Sequence, residues 1–164
     1  MQIDYDPQVI SYEDLLDVFW SSHNPESPAW SRQYMNAIFY HNEKQKKAAE
    51  ESRNRLAIRL HGTIRTAILP YIGFYQAENY HQKYRLRNER DLMREFNAIY
   101  PHYQDFIDST AAARVNGYLY GYGTLERLQA EVSSFGLSSA ASKKLLDMVR
   151  RRDRRVNPMC ATAP

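Results

Sequence analysis

Between residues 3 and 70 the chain switches repeatedly between a two-residue and a 3.6-residue hydrophobic period, and this alternation limits the folds open to it. Ile3-Asp4-Tyr5 predicts a short strand that Asp6-Pro7 ends, because proline has no amide to give to a sheet ladder. Ser11, three residues before Asp14, opens a helix whose Tyr12, Leu15, Leu16, Phe19 and Trp20 recur along one face. His23-Asn24-Pro25 closes it, and the segment through Pro28 predicts a loop. Tyr34 to Tyr40 reads as a buried strand, and Asn42 with Gln45 opens a surface helix over 42–57, supported by Glu43 with Lys47 and Glu51 with Arg55. Thr63 to Leu69 predicts a third strand ended by Pro70. The order strand, helix, strand, helix, strand argues for an open sheet with helices packed on it, parallel or antiparallel.

Beyond residue 70 the pattern is mainly helical. Ala77 to Tyr84 and Asp91 to Tyr100 predict helices, with a break at Pro101. Leu125, Leu128, Val132 and Phe135 form a stripe ended by Gly136, and Ala141, Leu145, Met148 and Val149 form another. Gly117-Tyr118-Leu119-Tyr120-Gly121-Tyr122-Gly123 lacks the third glycine of a dinucleotide loop and the Gly-Lys-Ser/Thr of a P-loop, so it reads as a turn with packed tyrosines. One cysteine, Cys160, in 164 residues leaves no internal disulfide and no cysteine pair for zinc. The fold must rest on packing, for which 43% hydrophobic and 13% aromatic residues are globular proportions. No apolar run approaches the roughly 18 residues of a membrane span, and Met1 to Asp6 has no signal-peptide character, so the chain reads as soluble and cytoplasmic. Residues 143–155 carry a local charge of +5 against −2 for the remainder. Without interleaved aromatics this reads as a solvated helix face rather than a nucleic-acid surface.

The residue types exclude several chemistries. No Gly-x-Ser-x-Gly elbow is present, and Cys160 lies four residues from the last position. Glu78 and His81 would share one side of a helix like half of a di-iron motif, but no second Glu-x-x-His exists. His23 and His41 flank element ends, where an imidazole bonds the last carbonyls. No metal is assigned.

Several blocks go further: Asp4-Tyr5-Asp6-Pro7, Ile10 to Trp20, His23-Asn24-Pro25, Arg32-Gln33-Tyr34-Met35, Ala37-Ile38-Phe39-Tyr40, and Phe74 to Tyr84. In order and spacing they resemble the central part of the A-type peptide methionine (S)-sulfoxide reductases. Residues 85–155, with Ala111 to Arg114 and Asn116 to Leu119, resemble a long-tailed branch of that family. The resemblance implies an α+β, ferredoxin-like sandwich over 1–84 lacking the first strand and helix, a helical C-terminal extension over 85–155 packed on it, and a flexible tail over 156–164. It implies a reaction in which a thiolate attacks the sulfoxide sulfur of oxidised methionine in proteins while an acid protonates the departing oxygen. A second thiol then resolves the sulfenic acid, and thioredoxin or another dithiol reduces the disulfide. No bound cofactor is implied.

The family's nucleophile motif, Gly-Cys-Phe-Trp-Gly, does not occur in this sequence. By resemblance Tyr34 is the matched hydroxyl that holds the sulfoxide oxygen, whereas the Asp that many relatives carry five residues earlier is Ala29 here. Trp30 is a candidate substrate contact and Cys160 a candidate resolving thiol. The expectation is a truncated chain, inactive alone, with an unpaired sheet edge open to self-association. The alternative is a non-catalytic binding module for a protein partner.

Overall fold

The computed structural model describes residues 1–156; of the expected tail over 156–164, Val156 is the last residue of a helix, and residues 157–164, Cys160 among them, lie outside the described residues. The backbone divides into two compact units, Met1–Tyr75 and a second beginning at Gln76.

In the first unit, helix α1 (Tyr12–Ser21) starts where the Ser11 hydroxyl accepts the Asp14 amide at 3.0 Å and the Asp14 carboxylate accepts the Ser11 amide at 3.1 Å. That reciprocal cap holds the Asp14 carboxyl below the usual carboxylate range, chiefly through the Ser11 hydroxyl. Leu16 and Trp20 are buried, with Tyr12 and Phe19 packed beside them, as the stripe predicts. Strand β1 (Ala37–Tyr40) leads into helix α2 (Glu43–Leu60), capped by Asn42, whose side chain accepts the Gln45 amide at 2.9 Å. Its ion pairs are Glu43 with Lys46 and Lys47 with Glu51, not the two pairs read from spacing. The helix outlasts the predicted 42–57 by one turn and stops at His61, a left-handed residue at φ 53°. Strand β2 (Ala67–Pro70) then pairs with β1 in parallel, Ala37 opposite Ala67 through Tyr40 opposite Pro70.

Ile38, Leu16, Trp20, Ala49 and Leu56 form the core of this unit, with Ile64 and Ile68 against it. The Ser52 hydroxyl ties its two helices: it accepts the Trp20 indole N–H at 2.9 Å and donates to the Ala49 carbonyl at 2.8 Å, fully inside. Ser52→Ala leaves the buried indole N–H without a partner. We expect it to cost about 1–3 kcal/mol, seen as a lower urea midpoint by tryptophan fluorescence.

Two strands are present among the described residues where three were predicted. Ile3-Asp4-Tyr5 is not a strand, because no neighbouring backbone completes its ladder, and Ile3 is exposed. The predicted strand Tyr34–Tyr40 shortens to β1, with Arg32–Tyr34 wound into a 3₁₀ turn. The predicted strand Thr63–Leu69 pairs only from Ala67, and Pro70 belongs to it, since its missing amide lies at the last rung.

The second unit is helical. The predicted helix Ala77–Tyr84 is a 3₁₀ turn at Asn79–His81, then a break at left-handed Lys83 (φ 48°), then α3 (Tyr84–Arg87). The Asn116 side chain accepts the Arg85 and Leu86 amides at 3.0 and 3.2 Å, standing in for the cap that Lys83 cannot supply. Helix α4 (Arg90–Ile99) ends before Pro101, α5 (Tyr103–Asp108) follows, and α6 (Thr110–Tyr120) runs through Gly117. Gly117 to Tyr120 are therefore helix rather than turn, and the chain reverses at Gly121 (φ 112°). The stripe Leu125 to Phe135 divides into α7 (Leu125–Glu131) and a 3₁₀ turn (Val132–Phe135). Helix α8 (Ser139–Val156) completes the unit. At its start the Glu95 carboxylate accepts the Ser138 amide and hydroxyl, both at 2.9 Å, which holds the Glu95 carboxyl below its ordinary range.

Leu86, Leu92, Phe96, Phe106, Val115, Leu128, Phe135, Leu145 and Val149 fill this second core. Tyr118 reaches out of it: its hydroxyl donates to Glu131, which also pairs with Arg114, while Arg152 of α8 donates to the Tyr118 carbonyl. Gly123 lies under the Tyr118 ring, where an added Cβ would come within 2.6 Å of the ring, and its φ of 78° excludes most other residues as well. Among the described residues the architecture is α+β in the first unit and helical in the second. Among the described residues no helix is long and apolar enough to cross a membrane.

Candidate functional site

The loop between α1 and β1 carries both residues singled out as substrate contacts. It is built on polar anchors rather than regular structure. Pro25 has no amide, so its neighbours turn on the Asn24 side chain, which accepts the Glu26 amide at 3.0 Å. The buried Pro25 carbonyl accepts the Arg65 amide at 2.8 Å, tethering the loop to the approach of β2. His23 adds a second tether. Its Nδ1 lies 2.8 Å from the Phe19 carbonyl and its Nε2 3.0 Å from the buried Thr66 hydroxyl. A carbonyl only accepts, so Nδ1 carries the hydrogen and Nε2 of the neutral ring accepts from Thr66. The reading of His23 as a partner of the last helix carbonyls holds. His41 behaves differently: its ring stacks on Tyr71 at 4.2 Å, and its backbone amide donates to Gln45.

At the tip of this loop the 3₁₀ turn, closed by the Tyr34 amide on the Ser31 carbonyl at 3.2 Å, brings positions 30 and 34 onto one side. The Trp30 and Tyr34 rings stack at 4.7 Å and 17°. Both face solvent, Trp30 at 80% and Tyr34 at 57% exposure, so a flat apolar plate and a phenol hydroxyl are open to a ligand together. Spacing alone does not reveal the pair, because Trp30 precedes the turn and is joined to it through extended Ser31.

Reading the sequence for a buried strand missed a second feature. In the pleat of β1 and β2, Ile38 and Ile68 point to the helices, whereas Phe39 and Leu69, paired in register, are exposed. Ile72, Phe74 and Tyr75 continue this apolar exposure beyond β2. Strands apolar on both faces belong to sheets covered on both faces, and that was the available signal. Glu78 precedes and His81 ends the 3₁₀ turn of the other unit, 3.9 Å apart and both exposed. Among the described residues no three His, Cys, Asp or Glu side chains gather as a metal site would require.

Comparison with known proteins bears on both units. The family described as "Peptide methionine sulfoxide reductase" matches residues 1–114, and "Selenoprotein methionine sulfoxide reductase A, helical domain" matches residues 104–151. A peptide methionine sulfoxide reductase of Drosophila melanogaster is 41% identical over 140 residues, covering 84% of this chain and 56% of the relative. Peptide methionine sulfoxide reductase MsrA of Methanothermobacter thermautotrophicus is 46% identical over 97 residues, 55% of this chain and 57% of the relative. That of Methanosarcina acetivorans is 45% identical over 91 residues, 51% of this chain and 48% of the relative. The chain spans about half the length of the curated relatives it matches. With more than two thirds of its residues inside one family pattern, from the capped α1 to the turn bearing Trp30 and Tyr34 and on into α6, this chain belongs to the peptide methionine sulfoxide reductase family.

Proposed function

We propose that the chain serves thiol-dependent reduction of methionine sulfoxide in proteins, and that its own share is to receive the oxidised side chain. The stacked, exposed pair of Trp30 and Tyr34 carries this reading. The Trp30 face takes the S-methyl group by apolar and sulfur contact, and the Tyr34 hydroxyl donates to the sulfoxide oxygen. A thiolate attacking sulfur then breaks the S–O bond. The oxygen finishes on the thiol as a sulfenic acid, methionine is released, and a second thiol with a dithiol such as thioredoxin returns the enzyme to its reduced state.

No residue of this chain is proposed as the attacking thiol. Cys160, its one cysteine, is proposed only as a resolving thiol, so the chain alone binds without turnover. In the finer fold reading, β1 and β2 belong to a ferredoxin-like sheet whose further strands pair with their open edges. Unpaired, that sheet promotes self-association through its edges.

Two indole N–H signals provide the test, because Trp20 is buried on Ser52 while Trp30 is open. Titration with N-acetyl-methionine sulfoxide N-methylamide should shift the Trp30 signal and leave Trp20 in place. Tyr34→Phe should weaken binding about fivefold, the value of one hydrogen bond near 1 kcal/mol. Equal affinity for the unoxidised thioether would overturn the reading. Sulfoxide reduction by the chain with dithiothreitol, abolished in Cys160→Ser, would overturn the binding-only assignment.

A further inference from the structure

The charge of helix α8 is not used by the reading above, and its distribution is specific. Its inner face, Ala141, Leu145 and Val149, is buried in the second core. Its outer face carries a shallow, open groove between side chains of α8 itself: Ala140, Lys143, Lys144, Asp147, Met148 and Arg151. Most charges there are already engaged: Lys144 pairs with Asp91, Asp147 with Arg150 at 3.2 Å, and Arg152 with Asp153 and the Tyr118 carbonyl. Lys143 and Arg151 are exposed and take part in no ion pair among the described residues. They stand eight positions apart on the helix, a rise of about 12 Å, with the half-buried Met148 between.

We propose that this groove docks an acidic helical segment of a partner protein, with two carboxylates set two turns apart on Lys143 and Arg151 and an apolar side chain on Met148. Charge complementarity selects the occupant. A phosphate backbone would run past Asp147 in the middle of the groove, and residues 139–153 include no aromatic side chain to stack a base. A lipid surface would need the apolar face of α8, which the core has taken. An acidic helix with a central leucine matches the groove along its length, pairing each end cation with a carboxylate and meeting apolar surface where Asp147 is already answered by Arg150.

The test uses the full chain and a fluorescein-labelled helical peptide with two Glu residues eight positions apart, Leu midway and Ala and Gln elsewhere. Fluorescence anisotropy should show saturable binding at low salt that weakens as salt rises. K143E with R151E should reduce affinity at least tenfold. The same variant should bind the peptide in which both Glu are Lys, which the parent chain refuses. Both side chains are exposed, so an unchanged circular dichroism spectrum accompanies the loss. No binding, equal binding of a scrambled peptide, failure of the charge swap, or tighter binding of oligothymidylate or phosphatidylserine vesicles would each overturn the proposal.

Discussion

Phe96→Ala is expected to destabilise the helical unit by about 3–5 kcal/mol, a large share of the roughly 5–15 kcal/mol that holds a protein of this kind folded. The Phe96 ring is fully buried, edge-on to Phe106 at 6.2 Å and 64° and parallel to Tyr100 at 6.2 Å and 9°. Truncation removes the apolar area and both aromatic contacts. It also leaves a hole that α4, held through Glu95 to Ser138 and through Asp91 to Lys144, cannot close by shifting. Both tryptophans lie in the other unit, so urea unfolding followed by far-ultraviolet circular dichroism is the measurement. Phe96→Leu, which keeps most of the volume, should lose much less. A cost below about 1 kcal/mol for the alanine variant would mean that the ring does not sit in the core.

Alkaline pH should weaken the same unit through Tyr118. Burial pushes this phenol from 10.0 up to about 12, and its hydrogen bond to the Glu131 carboxylate pushes the same way. In the unfolded chain the proton leaves near pH 10, while in the folded chain it stays until about 12. The extra stability is therefore complete below pH 10 and is lost as the pH rises through the folded value, at up to about 1.4 kcal/mol per pH unit. Tyr118→Phe, measured by denaturant midpoints across this window, should remove that slope for the helical unit. Burial also raises Tyr12, in the first unit, and lowers Lys83, in the helical unit, whose slope has the opposite sign and stays in Tyr118→Phe. An unchanged slope in Tyr118→Phe would show that the phenol is neither buried nor held by Glu131 in the folded unit.

Local signals were readable where local physics decides. The α1 stripe from Tyr12 to Trp20 and the caps at Ser11 and Asn42 need only neighbours three and four residues away, and they appear as read. Ile3-Asp4-Tyr5 fails because alternation describes a strand's faces and says nothing about whether a partner backbone exists. Gly117 misled for another reason. A glycine inside a helix resembles a turn signal, but the space around its Cβ is open, and the true stop is Gly121 with its left-handed φ. In the site, Tyr34 came from resemblance, but its stacking with Trp30 depends on one 3₁₀ turn over Arg32–Tyr34 that the prolines concealed. Phe39 and Leu69 were legible only as apolar residues on the second strand face, a pattern that implies a covered sheet rather than the open face found.

Parallel pairing of β1 with β2 has a kinetic consequence. Every rung joins residues thirty positions apart, so the ladder cannot zip from a hairpin and must wait until the intervening segment is closed and α2 is laid across it. Helix α1 with its reciprocal cap can fluctuate into shape alone within microseconds, but the rungs that would hold Ile38 and Ile68 beneath it arrive last. Assembly of this unit is therefore expected to be limited by an entropic search rather than by helix nucleation.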